Sequence, residues 1–188
     1  MNFDHNNFLV KPRSWESIDR DAWLMRKAYG FDSTKYFPVM ATLEQILYNS
    51  SDAIQLEIVE NDEASGYEGC TSIDGKTIFL KKSVYEGACS GFFRDRFTVA
   101  HELGHAFLHA GQTPVMALLS KHPDKPYCQS EAQANRFAAA LLMPFELICP
   151  SMSPSEATKV FGVSKSTATY RIRDYRKNLK QNGPEQLL

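Results

Sequence analysis

The sequence lacks most features of an exported, membrane-spanning or nucleic-acid-coating protein. Its four cysteines, Cys70, Cys89, Cys128 and Cys149, are scattered and form no Cys-x-x-Cys pair. An even count allows two disulfides, but with no basic-then-apolar leader in Met1–Asn7, free thiols in the cytoplasm are the expectation. No apolar run approaches the about 18 residues a membrane span requires, so no membrane partner is expected. Positive charge is not in excess: 21 Lys and Arg stand against 22 Asp and Glu, a net charge of −1, so any nucleic-acid surface must be local. There are no internal repeats and no low-complexity tracts.

What remains is ordinary globular composition over 188 residues, 43% of them hydrophobic, enough for one core with a small appendage. Ser14 caps a predicted helix to about Tyr29, with Trp15, Ile18, Ala22 and Met25 on one face. Pro38 opens a second helix. Strands are expected over 54–59, 67–73 and 77–81, the last two joined by a tight turn at Asp74-Gly75. A long helix follows from about Gly91 to His109. Its predicted core face is Phe93, Phe97, Ala100, Gly104 and Phe107, with Thr98, His101, Glu102, His105 and His109 opposite. Residues 111–130 read as loop. A helix over Glu131–Met143 is stopped by Pro144. Two further helices, Ser153–Phe161 and Ser164–Leu179, flank a Gly162-Val163 break.

The chemistry concentrates in His101-Glu102-Leu103-Gly104-His105. Histidines four apart on a helix share a face, so both imidazoles can reach one zinc ion at about 2.0–2.1 Å. Glu102 lies beside them, where a carboxylate can take a proton from water and return it to a leaving amine. A third ligand is needed. His109 continues the spacing but sits roughly 12 Å from His101 along the axis, too far to share an ion. It reads as a satisfied surface histidine, with support behind the metal as the alternative. Glu131 is the better candidate, because a carboxylate in the first turn of the next helix suits the helix dipole. Asn135, one turn on, can orient a ligand by hydrogen bonding. Cys128 and His122 are weaker rivals. Gly104 and the alanines of the second helix permit the close approach a shared metal requires. Tyr67, Tyr127 and His109 are candidates for stabilising an oxyanion. An edge strand of the hairpin could pair with an extended peptide.

Arg96–His105, followed by Glu131–Pro144, resembles the two motifs of the ImmA/IrrE family of metallo-endopeptidases, over roughly residues 53 to 173. The resemblance implies an α+β, zincin-like fold with a small antiparallel or mixed sheet packed on helices. It implies His101, His105 and Glu131 as metal ligands and Glu102 as general base. It also implies a protein substrate of the helix-turn-helix repressor class. On this reading residues 1–150 form the peptidase domain and residues 151–188 a helix-turn-helix-like segment. Zinc suits the donor set best, with manganese or iron as alternatives. The rival reading is a regulatory, antitoxin-like module with a structural or vestigial metal site. It would bind protein, or place Lys165, Arg171, Arg173, Arg176, Lys177 and Lys180 on DNA phosphates. An intact Glu102 argues against a vestigial site.

Overall fold

The computed structural model describes residues 8–49, 54–63, 66–112 and 125–182. Helices α1 (Trp15–Ala28) and α2 (Val39–Asn49) lead into strand β1 (Gln55–Val59). Strands β2 (Gly69–Thr71) and β3 (Thr77–Lys81) follow, and then helix α3 (Lys82–Cys89). Helix α4 (Phe93–His109) carries the histidine motif. Helices α5 (Ser130–Leu142), α6 (Pro154–Phe161) and α7 (Lys165–Asn182) complete the described chain. The architecture is α+β with a mixed sheet of order β1-β3-β2: β1 runs parallel to β3, and β2 runs antiparallel. No helix among the described residues is long and apolar enough to cross a membrane.

Local chemistry accounts for most boundaries. Ser14 caps α1 by accepting from Ser17 N–H, and Ser153 caps α6 in the same way from Glu156 N–H. Gly162 ends α6 at φ 65°, a left-handed conformation that glycine adopts without a Cβ penalty. At the β2–β3 turn, Ser72 Oγ and Lys76 N–H both donate to Asp74 Oδ1. The second strand, Gly69–Thr71, is shorter than the expected 67–73: the turn takes residues 72 and 73, and Glu68 lies in a bend before the strand. Helix α3 was not foreseen. It follows β3 with no breaker between Lys81 and Lys82, and only Val84, Gly87 and Ala88 mark its buried side.

Helix α4 does not have one core face. Val99, Ala100, Leu103 and Ala106 are buried, whereas the expected core residues Phe93 and Phe107 are 42% and 47% exposed. The helix is central, packed by α5, α3, α2 and the sheet, so a single-stripe reading of its periodicity fails. The misreading also reflects Arg96, a charged residue that is buried. Its guanidinium donates to the carbonyls of Phe37, Phe161 and Gly162 and lies 3.9 Å from the Tyr36 ring. Arg26 likewise donates to the carbonyls of Phe31, Thr34 and Leu141. Burial lowers the pKa of both arginines, and their hydrogen bonds to loop carbonyls offset the desolvation.

The position of the site depends on how closely α4 and α5 approach. A Cβ on Gly104 would stand 3.2 Å from both Cα and O of Ala134 and from the Phe137 ring. Those neighbours are largely backbone and cannot move aside cheaply. Gly104→Val is therefore expected to cost about 1–3 kcal/mol through overpacking, and to weaken metal binding by pushing Glu131 away from the histidines. Denaturant unfolding and a metal titration of the same variant test this. Unchanged metal affinity would show that the close approach does not set the site.

Candidate metal centre

Three side chains converge at one end of the α4–α5 contact. His105 Nε2 lies 3.0 Å from His101 Nε2 and 3.1 Å from Glu131 Oε1, and His101 Nε2 lies 3.3 Å from Glu131 Oε2. One ligand atom from each of the three residues lies within 4.8 Å of the others. Two ligands of one tetrahedral zinc at about 2.0–2.1 Å stand roughly 3.3 Å apart. The spacing and the donor set, two imidazoles and a carboxylate, therefore fit a divalent transition metal. The outer nitrogen of His101 is also held: its Nδ1 lies 3.2 Å from Asn135 Oδ1. A carbonyl oxygen can only accept, so His101 carries a proton on Nδ1, and its Nε2 is the nitrogen left for a metal or, in the metal-free protein, for a proton shared with Glu131.

The electrostatics favour the same arrangement. Hydrogen bonds to His101 and His105 hold the Glu131 carboxyl well below the usual range. Burial works against a charged His101 ring, but the hydrogen bond to Glu131 and the charges of Glu102 and Glu131 outweigh it and raise its pKa. Protons and a metal compete for the same nitrogens. Metal affinity is thus expected to fall as the pH drops through the raised His101 value, in a chelator-competition titration between about pH 8 and 5. Affinity independent of pH over that interval would contradict ligation through His101.

Glu102 is 5% exposed and points toward β2. Thr71 Oγ1 donates to Glu102 Oε2 at 2.8 Å and is 3.1 Å from the Glu102 backbone oxygen. A Cβ on Gly69 would stand 3.0 Å from Glu102 Cγ and 3.1 Å from its Oε1, so a glycine lets the strand lie against the carboxylate. Gly69, Cys70 and Thr71 all line the cleft that opens over His101, His105 and Glu131. β2 is an edge strand of the described sheet, and the cleft runs along it. Burial, then the charges of Glu102 and Glu131, push the Cys70 thiol up to about 11 and keep it protonated.

The family model Peptidase M78, described as the IrrE N-terminal-like domain, matches residues 64–173, well over half of the chain. The chain belongs to the ImmA/IrrE family. The match spans both motifs and all three converging side chains. No curated protein matches the chain.

The structure of this ImmA/IrrE protein revises several sequence expectations. His109 is not a surface histidine. It is 3% exposed, with Nδ1 3.1 Å from His105 Nδ1 and Nε2 3.2 Å from Gln133 Oε1. Burial, then the neighbouring His105, lowers its pKa to about 4, which leaves the ring neutral. Of the three oxyanion candidates, Tyr67 lines the cleft, whereas Tyr127 does not and His109 is buried behind His105. Cys128 is fully buried and is not part of the converging group. His122 lies outside the described residues. All four cysteines are free thiols.

Arg171 also needs correction. It is fully buried, donates to Met143 O at 2.9 Å, and pairs with Asp19 at 3.3 Å. It is unavailable to a phosphate. The other five basic residues named with it, Lys165, Arg173, Arg176, Lys177 and Lys180, are exposed.

Sequence reasoning missed Thr71, Gln133 and Phe8 at the site. The segment from Phe8 straps along the start of α5: Ser130 N–H donates to Phe8 O, and Val10 N–H donates to Cys128 O. This brings Phe8 to the wall of the cleft. Nothing local in residues 8–11 signals a partner more than a hundred positions away.

Proposed function

We propose that this chain is a zinc-dependent endopeptidase acting on an extended segment of a protein, with helix-turn-helix repressors as the substrate class. One observation carries the reading: a convergent His101, His105 and Glu131 donor set lies with Glu102 beside it in a cleft bordered by an edge strand. The substrate class rests on the family likeness of the two motifs. Zinc bound by these three residues would supply Lewis-acid polarisation of the scissile carbonyl and would acidify water. The protein's own groups supply the rest. The edge of β2, unpaired among the described residues, would offer backbone groups to an extended peptide, aligning it along the cleft. Glu102, oriented by Thr71, takes the proton of the attacking water on a carboxylate oxygen. It then delivers that proton to the leaving nitrogen. Tyr67, which lines the cleft, would donate to a developing oxyanion.

The test combines elemental analysis with proteolysis. Wild type should carry about one zinc per chain and cleave an unstructured protein or a repressor encoded beside it. His101→Ala, His105→Ala and Glu131→Ala should lose both metal and cleavage. Wild type that cannot be loaded with zinc, manganese or iron would refute the reading.

The exposed basic residues of α7 support a second reading, a regulatory DNA-binding module. Four of them, Arg173, Arg176, Lys177 and Lys180, border a groove with Pro154 of α6. That reading predicts affinity for duplex DNA that falls steeply with salt and drops on Arg173→Ala or Lys177→Ala. Salt-independent or absent binding would eliminate it.

A further inference from the structure

We propose that His109 and Gln133 are positioning residues that lock His105 into the one tautomer able to bind a metal. The proposal rests on the metal-ligand reading of His105, but it concerns two residues that are not themselves ligands. It begins at Gln133, which is fully buried. Its amide nitrogen donates to Lys11 O at 3.0 Å and to Tyr127 O at 2.7 Å. Both amide hydrogens are thereby used, and the amide cannot flip without losing two bonds. Its Oε1 must then accept, and its neighbour is His109 Nε2 at 3.2 Å. His109 therefore carries its proton on Nε2.

A neutral ring protonated at Nε2 has a lone pair at Nδ1. That atom faces His105 Nδ1 at 3.1 Å. Two lone pairs at that distance repel, so His105 must donate from Nδ1. Its Nε2 is left as the nitrogen a metal can take, and in the metal-free protein any proton there is shared with His101 Nε2 and Glu131 Oε1, 3.0 and 3.1 Å away. Each proton position follows from the one before it, starting at two backbone carbonyls.

The two metal-facing histidines are thus held by different means. His101 donates directly to the side-chain oxygen of Asn135, whereas His105 is held through an intermediary. The Phe8 ring covers His109 edge-on, with centroids 5.9 Å apart, and the ring is nearly sealed from water that could exchange its partners. The strap that supplies Phe8 also supplies the Lys11 carbonyl. The start of the described chain therefore helps set the proton position on a ligand in α4.

Nitrogen NMR of the ring atoms in the metal-free, full-length protein tests the relay directly. His105 should carry a proton at Nδ1 whether or not Nε2 is also protonated, and His109 should appear as the Nε2–H form. The second readout is zinc affinity by chelator competition, with thermal unfolding of the metal-free protein as a control. His109→Leu fills the space without an acceptor and should weaken zinc binding about 10–100-fold. His109→Asn places an oxygen near the former Nδ1 and should restore most of that loss, even if both variants are equally destabilised. His105 lacking a proton at Nδ1, or equal zinc affinity of His109→Leu and His109→Asn, would overturn the proposal. The tautomers are readable without bound metal, so failure of the metallopeptidase reading and failure of the relay are separate results.

Discussion

Glu102→Gln should abolish most peptide hydrolysis, lowering its rate by about 10²–10⁴-fold, while the protein keeps its metal and its fold. The glutamine is nearly isosteric with the carboxylate. It can still accept from Thr71 Oγ1, which donates to Glu102 Oε2 at 2.8 Å, and it fills the same space against Gly69. It cannot take a proton at neutral pH. Glu102 is outside the converging donor set, so removing its charge leaves His101, His105 and Glu131 in place. Elemental analysis and cleavage assays on the same preparation check this outcome. Cleavage at the wild-type rate would show that another group is the base. Loss of metal together with activity would show that Glu102 acts on the donor set itself.

Asp19→Ala should be among the most destabilising single substitutions in the chain, by about 3–5 kcal/mol. Asp19 accepts from Arg136 Nε at 2.7 Å and also from its Nη2, and Arg171 Nη1 lies 3.3 Å from both carboxylate oxygens. Arg136 is 4% exposed and Arg171 is fully buried. Burial lowers the Arg171 pKa, and Asp19 is the first of the charges that oppose that fall. Removing the carboxylate leaves two buried guanidinium groups with Asp174, already paired with Arg136, and the charge of Glu146 to offset them. Among the described residues, Arg171 Nη2 already finds no hydrogen-bond partner, so the site has little reserve. Asp174→Ala should cost far less, about 1 kcal/mol, because Arg136 keeps Asp19. Denaturant unfolding of the two variants side by side tests the ranking. The network also joins α1, α5 and α7, and α5 carries Glu131, Gln133 and Asn135. Asp19→Ala should therefore weaken metal binding as well. Equal stability of the two aspartate variants would place the load elsewhere.

Residue spacing alone made parts of the site legible. His101 and His105 share a face because four residues make about one helical turn, and no tertiary contact alters that. Glu131 was readable because it opens an alanine-rich helix, and Asn135 because it stands one turn further along. The cap at Ser14, the stop at Pro144 and the break at Gly162 were local as well. Legibility ended where burial depends on elements distant in sequence. Phe107 fits an apolar stripe yet is half exposed, whereas Arg96 and Arg171 carry charge yet are buried. A charged residue is buried only where carbonyls or carboxylates from other segments meet it, and sequence periodicity carries no record of those partners.

The sequence by itself determined the α+β class, the motif helix, the donor set worth testing and the family. Each depends on short-range order, in which residue type and spacing decide geometry through the helix repeat. The tertiary structure alone decided that His109 is buried behind His105, that Thr71 orients Glu102 and that Phe8 walls the cleft. These contacts join residues 4, 31 and 122 positions apart, and the two long-range ones exist only because β2 and the initial strap pack on α4 and α5. His109 is close in sequence, yet its role came from Gln133, 24 positions away. A hydrogen bond needs both partners in place, and only the folded chain brings the second one.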